Sequence, residues 1–156
     1  MDQDINYITE EKKNALEQEL QELKGPKRKE IIASIDYAKS LGDLSENAEY
    51  HQAREEQGKL EERIKKIEQI LQSSKVVSSE NGGDIIGIGS RVDVLKDGDK
   101  NERTFQIVGS EEADMAQGKI SNRSPFGIAL FKNKKGDIVS VNTPNGAVNY
   151  KIIKVY

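Results

Sequence analysis

Cysteine and tryptophan are absent from the 156-residue chain, and a single histidine occurs. Without cysteine there is no disulfide framework and no thiolate metal site, which excludes zinc-finger chemistry and suits a reducing cytoplasm. His51 has no second imidazole or cysteine to share a metal with, so an ordinary surface or packing role is expected for it. Aromatic residues make up 5% and hydrophobic residues 35% of the chain, against 33% charged, a thin core for this length. Part of the chain should therefore be elongated rather than folded into a single globule. The acidic opening MDQDINYITEEKK and the lack of a long apolar run provide neither a signal peptide nor a membrane span, so a soluble, cytoplasmic protein is expected. A net charge of -3 shows no basic excess of the kind that phosphate binding favours. No nucleophile triad, phosphate-cradling glycine loop or dinucleotide fingerprint is present.

What the chain does have is helical periodicity followed by strand periodicity. Apolar positions at Leu16, Leu20, Leu23, Ile31, Ile35 and Ala38 define one helical stripe, with Thr9 as N-cap and Glu10 and Glu11 in the first turn. The stripe slips by one position between Leu23 and Ile31, across Gly25 and Pro26, which predicts a kink or short break. The cations of KGPKRK, Lys24 to Lys29, read as a solvated helix face. A second stripe runs Ala53, Leu60, Ile64, Ile67 and Leu71, with polar Gln57 in its seam. Two such helices joined by a few residues must lie antiparallel, and at ~1.5 Å per residue about thirty residues each give a hairpin roughly 45 Å long. After Gln72 the Ser, Asn and Gly content marks a linker. From Arg91 the period is two, in RVDVLK, RTFQIVG, DIVSVN and AVNYKIIKVY, separated by turn sequences. Ser124 followed by Pro125 predicts a short capped helix within this β region. The expected class is α+β: an antiparallel helical hairpin over 1–76 with its turn at 42–47, a linker over 77–84, and a small, mostly antiparallel β domain with a short helix over 85–156.

The turn itself reads GDLSENAEYH. Gly42 suits the position just past a helix end, and Asp43 with Glu46 three residues on suits a capping box opening the next helix. On that reading Asp43 and Glu46 share one helix face, with Cβ atoms roughly 5 to 6 Å apart. Magnesium binds through one or two carboxylates and keeps its other positions for water and phosphate oxygens, so this pair is an incomplete site that a partner could complete. Asn47 and Tyr50, on the same turn, are candidate contacts to whatever meets it.

The stretches GDLSENAEYHQAREEQGKLEERI, IVGSEEAD, GKIS, SPFGIAL and YKIIKVY, in this order and without large gaps, resemble the bacterial Gre transcript-cleavage factors. The resemblance implies an N-terminal antiparallel coiled coil and a C-terminal FKBP-like domain. It further implies a monomer that docks on bacterial RNA polymerase at the rim of the secondary channel and extends the coiled coil toward the active centre. There Asp43 and Glu46 would help hold the polymerase's second Mg2+ and orient the attacking water, while the polymerase itself cleaves the 3′ end of backtracked nascent RNA. Such a factor is not an enzyme on its own and has no cofactor beyond the polymerase's Mg2+. Lys39 and Arg54 map onto the basic contacts to RNA along the coiled coil, and Arg123, Ser124 and Pro125 onto the loop that docks on the polymerase. The alternative is a regulator that occupies the same channel without promoting cleavage; relatives of that kind differ at the turn, often with extra acids. A purely structural coiled coil leaves the β region unexplained.

Overall fold

Leucines and isoleucines at steps of three and four bury one face of each helix, and two such faces cover each other. The computed structural model describes residues 5–78 and 83–156. Helix α1 spans Glu10–Glu22, α2 Arg28–Ser40 and α3 Ala48–Ser73. Ile31 and Ile35 pack against Ala53, Leu60 and Ile64, with Leu20, Leu23 and Tyr50 half-buried beside them. At the end of the second stripe Ile70 is the buried residue and Leu71 is only half-buried. Gln57, read as a seam residue, is half-buried and accepts a hydrogen bond of 2.6 Å from the exposed Arg54 guanidinium.

Between α1 and α2 the chain does not break. Leu23–Lys27 forms a π-helical turn containing Gly25 and Pro26, and the backbone stays helical on either side at Glu22 and Arg28. A π turn inserts one residue into an α-helix, and that extra residue is the one-position slip of the stripe. Both apolar segments therefore keep facing α3. Ion pairs bridge the helices around this turn, with Glu19 bound bidentately by Arg63 at 2.7 and 2.9 Å, Glu61 by Arg28 at 2.9 and 2.7 Å, and Lys24 paired with Glu68. These pairs are substantially exposed, so each contributes about 0–1 kcal/mol and the apolar seam carries most of the stability.

The chain forms two compact units, Lys13–Ser73 and a second made of the residues up to Lys12 together with Ser74–Tyr156. The first dozen residues thus group with the strands and not with the hairpin. The cause is a strand pair that periodicity did not reveal: β1, Asn6–Thr9, runs parallel to β2, Ser74–Val77. Four-residue strands are too short for a pattern to register. Val77, assigned from sequence to the linker, ends β2, and residues 79–82 of that expected linker lie outside the described residues.

Thr9 joins the two periodicities. Its hydroxyl accepts from the Lys12 N–H at 3.2 Å, which is the expected N-cap of α1. It also donates at 2.9 Å to the buried carboxylate of Glu112, which takes the Thr9 N–H at 3.3 Å and the Lys119 ammonium at 3.4 Å as well. Hydrogen bonds to a buried charge are worth more than neutral ones, so Glu112→Ala is expected to lower stability by roughly 2 kcal/mol. Urea unfolding checks this, and an unchanged midpoint would show that the buried carboxylate anchors nothing.

The remaining strands are β3 Arg91–Lys96, β4 Glu102–Val108, β5 Lys119–Ser121, β6 Ile138–Thr143 and β7 Gly146–Val155, in one sheet of order β5-β4-β3-β7-β6. All neighbours are antiparallel except β4 and β5, which run parallel. Alternation sends Val92 and Val94 of β3 into a core with Ile107, Ile120, Leu130, Val139 and Ile152, while Asp93 points away from it. Helix α4, Pro125–Leu130, covers this core, and Phe126 meets Phe105 edge-on and Tyr150 at a tilt. Helical hairpin and strand-rich unit together make the chain α+β.

On the outer face of β3 the Asp93 carboxylate accepts from the Thr104 hydroxyl and from the Tyr156 hydroxyl, each at 2.6 Å. The Thr104 bond first, then the Tyr156 bond, hold the Asp93 carboxyl below its usual range, and the bond to Asp93 pushes the Tyr156 phenol up. A depressed carboxyl stabilises the fold at neutral pH and loses that contribution as pH falls through its folded pKa. A raised phenol contributes below the unfolded tyrosine pKa and loses it as pH rises through the folded one. Tyr156→Phe is expected to remove this phenol's share of the alkaline dependence and to move the Asp93 acid limb toward higher pH. Denaturant midpoints across the pH range measure both limbs, and superimposable profiles of variant and wild type would contradict the coupling.

Candidate functional site at the hairpin turn

Helix α2 ends because Gly42 follows it. The Leu41 N–H closes the last turn on the Ala38 carbonyl at 3.2 Å, and Gly42 then takes φ +132°, a conformation that side chains disfavour. From Leu41 to Glu46 the backbone is a non-helical loop, and every residue in it is exposed.

The start of α3 differs from the capping box read in the sequence. Asp43 spends its Oδ1 locally, accepting from the Ser45 N–H at 3.2 Å and the Ser45 hydroxyl at 3.1 Å, an Asx-type turn. The N-cap is Asn47, whose Oδ1 accepts from the Tyr50 N–H at 3.0 Å, so α3 begins at Ala48 and Asp43 does not cap it. Its Nδ2 donates at 2.6 Å to the Ala38 carbonyl on the other helix, a bond that the spacing of the motif gave no sign of. Asp43 and Glu46 consequently sit in a loop and not on one helical face. Glu46 makes no hydrogen bond or ion pair among the described residues.

The other residues singled out at this end are distributed differently. Tyr50 is half-buried against the hairpin seam and meets His51 edge-on at 5.8 Å between ring centroids. His51 is exposed, with Nε2 3.4 Å from the Ser45 carbonyl, a contact that needs the proton on Nε2. Lys39 lies exposed in the last turn of α2, where a cation suits the helix dipole, and Arg54 is exposed in the second turn of α3 beside Gln57.

Chemically, the turn presents two exposed carboxylates with open coordination. One oxygen of Asp43 and both of Glu46 are free of protein partners among the described residues, which fits a share in a Mg2+ shell otherwise filled by water and phosphate. Among the described residues no group of three or more His, Asp or Glu side chains could hold a metal ion by itself. Among the described residues no helix is long and apolar enough to cross a membrane.

In the strand-rich unit, Ser124 caps α4 as expected. Its hydroxyl accepts from the Gly127 N–H at 3.0 Å and donates to the Ser121 carbonyl at 2.8 Å, while Pro125 stands at the first helical position and is exposed. Arg123 is exposed, and its guanidinium reaches the Ile5 carbonyl at 3.3 Å. Two glycines and Glu112 escaped sequence reasoning. A Cβ at Gly109 would lie 1.6 Å from the Tyr7 carbonyl oxygen, and one at Gly127 would lie 1.9 Å from that of Ser121. Neither close approach leaves a local signal, since both bring together backbone segments distant in the chain or separated by a turn.

Comparison with known proteins covers both units. A family model described as the N-terminal part of transcription elongation factors matches residues 6–76, and one described as the C-terminal part of the transcription elongation factors GreA/GreB matches residues 80–156. The transcription elongation factor GreA of Bacillus subtilis is 43% identical over 148 residues, 95% of this chain and 94% of that one. That of Acetivibrio thermocellus is 46% identical over 149 residues, again 95% and 94%. Among solved structures, the GreA factor homolog Gfh1 of Thermus thermophilus is 25% identical with a TM-score of 0.44, covering 97% of this chain and 99% of its own. A GreA/GreB factor of Nitrosomonas europaea is 21% identical with a TM-score of 0.42, covering 96% and 98%. With both of its units matched over nearly their whole length, the chain belongs to the GreA/GreB family of transcription elongation factors.

Proposed function

We propose that this protein is a transcription elongation factor that enters the secondary channel of bacterial RNA polymerase and stimulates cleavage of the 3′ end of backtracked RNA, releasing arrested complexes. The reading rests on family membership together with one observation: the turn of the helical hairpin carries Asp43 and Glu46 exposed, in a loop, with one oxygen of Asp43 and both of Glu46 unoccupied by any protein group among the described residues. Two-metal hydrolysis needs a metal-activated water and a stabilised leaving oxygen, and the polymerase's Mg2+ supplies that chemistry when the factor is bound. Asp43 and Glu46 add carboxylate ligands and an acceptor for the attacking water. Because the turn holds only part of a metal site, cleavage is confined to complexes in which the polymerase and the RNA phosphate complete it.

Lys39 and Arg54 contribute charge toward the extruded RNA, and the FKBP-like strand-rich unit docks on the polymerase through Arg123, Ser124 and Pro125. The factor acts as a monomer in the cytoplasm and uses no cofactor of its own. Cleavage of a defined backtracked elongation complex, with and without the protein and across a magnesium titration, tests the proposal. A wild-type protein that binds core polymerase but leaves the rate of cleavage unchanged would instead be a channel-binding regulator.

A further inference from the structure

Asn47 was read from the sequence as a contact for polymerase or RNA, yet its side chain is half-buried and both ends of its amide are used within the hairpin. The oxygen caps α3 and the nitrogen holds the Ala38 carbonyl near the end of α2, at 2.6 Å, the shorter of its two bonds. Resting on the function proposed above, we propose that Asn47 is a positioning residue: it ties the last turn of α2 to the first of α3, and so fixes where the loop between them presents Asp43 and Glu46. The loop has little else to set its shape. Among the described residues its own side-chain bonds are those from Ser45 to Asp43, with the 3.4 Å approach of His51 to the Ser45 carbonyl beside them. A loop is only as well placed as its ends. Separating helix ends that are now tied gives the loop more conformations, and a displacement of about 1 Å at a reacting group can cost about a hundredfold in rate.

The two roles of Asn47 can be separated. Serine and aspartate cap helices about as well as asparagine, but an ionised aspartate has no proton to donate and the serine hydroxyl, one bond shorter than the amide, falls short of the Ala38 carbonyl. Asn47→Ser keeps a neutral cap and loses the tie; Asn47→Asp does the same with a charge added; Asn47→Ala loses both. In cleavage of a defined backtracked complex, Asn47→Ser and Asn47→Asp are expected to lower the maximal rate at saturating factor by roughly tenfold. The half-saturating factor concentration should stay unchanged and the Mg2+ needed for half-maximal cleavage should rise. In the free protein, amide exchange at Ser45 should quicken about tenfold while that in the body of α3 is unaltered.

Wild-type maximal rates in both capping variants overturn the inference. So does a loss confined to the half-saturating concentration, which is the behaviour of a direct contact, or unaltered exchange at Ser45. Asp43→Asn and Glu46→Gln are measured alongside. If the wild-type protein stimulates no cleavage, the proposed function itself fails; if the acid variants cleave normally, the role given to Asp43 and Glu46 fails and the positioning role with it; if they are inactive while Asn47→Ser is normal, only the positioning role fails.

Discussion

Asp43→Asn combined with Glu46→Gln is expected to lower stimulated cleavage by about a hundredfold while polymerase binding stays nearly intact. Neither carboxylate supports the fold to any extent that would confuse the result. Glu46 has no partner among the described residues, and the Asp43 bonds to Ser45 can be made by the amide oxygen of asparagine. The substitutions remove charge and leave shape, so the change falls on metal coordination and on the acceptor for the attacking water. Groups that orient or extend a metal's shell contribute about 10- to 100-fold each when removed. The check is the single-turnover rate of a backtracked complex at saturating factor, with competition binding to core polymerase measured in parallel. Variants that cleave as the wild type does would remove Asp43 and Glu46 from the mechanism.

The second large effect is expected far from this loop, at Gly109. Its backbone is extended, at φ -70° and ψ 164°, so any residue could adopt it; what a side chain lacks is space. A Cβ would lie 1.6 Å from the Tyr7 carbonyl oxygen and 2.7 Å from its carbon, both backbone atoms that cannot rotate away. Gly109→Ala must therefore displace β1, whose Ile8 and Thr9 are buried, and with it the pairing to β2 and the Thr9 bonds to Glu112. The expected cost is about 3 kcal/mol or more, a fall of roughly 15 °C in the unfolding midpoint of the strand-rich unit. Gly58 in α3 gives the contrast: nothing lies within 4 Å of its missing Cβ, so Gly58→Ala should raise hairpin stability by up to about 1 kcal/mol. Thermal unfolding followed by circular dichroism measures both. A Gly109→Ala protein as stable as the wild type would mean that β1 is not seated as described.

How much of this could be read in advance follows from the range over which each signal acts. Strands β3, β4, β6 and β7 were legible because alternation of Val, Ile and Phe with polar residues repeats over six or more positions between Gly- and Asn-containing turns. The Ser124 cap and Pro125 at the first turn of α4 were legible because cap chemistry is complete within four residues. Pairs joined across long stretches of chain were not legible. The β1 and β2 pairing, the burial of Glu112 against Thr9 and the parallel placement of β5 beside β4 depend on segments that no local pattern connects.

The hairpin divides the same way. Its helices, its seam and the end of α2 at Gly42 follow from the order of residues alone, because helix periodicity and glycine's access to positive φ are local properties. The one-residue slip near Gly25 and Pro26 was also visible, but not its outcome. A break and a π turn leave the same mark in the sequence, and the opposing face of α3, which rewards keeping both apolar segments in register, selected the turn. At GDLSENAEYH the sequence points to Asp43, with Glu46 behind it, as the cap of α3, and the structure instead uses Asn47, which has no acid at its third position. Packing of α2 against α3 favours that outcome, since it brings the Ala38 carbonyl within reach of an amide donor at position 47. That choice released Asp43 from capping and left it, with Glu46, in the exposed loop.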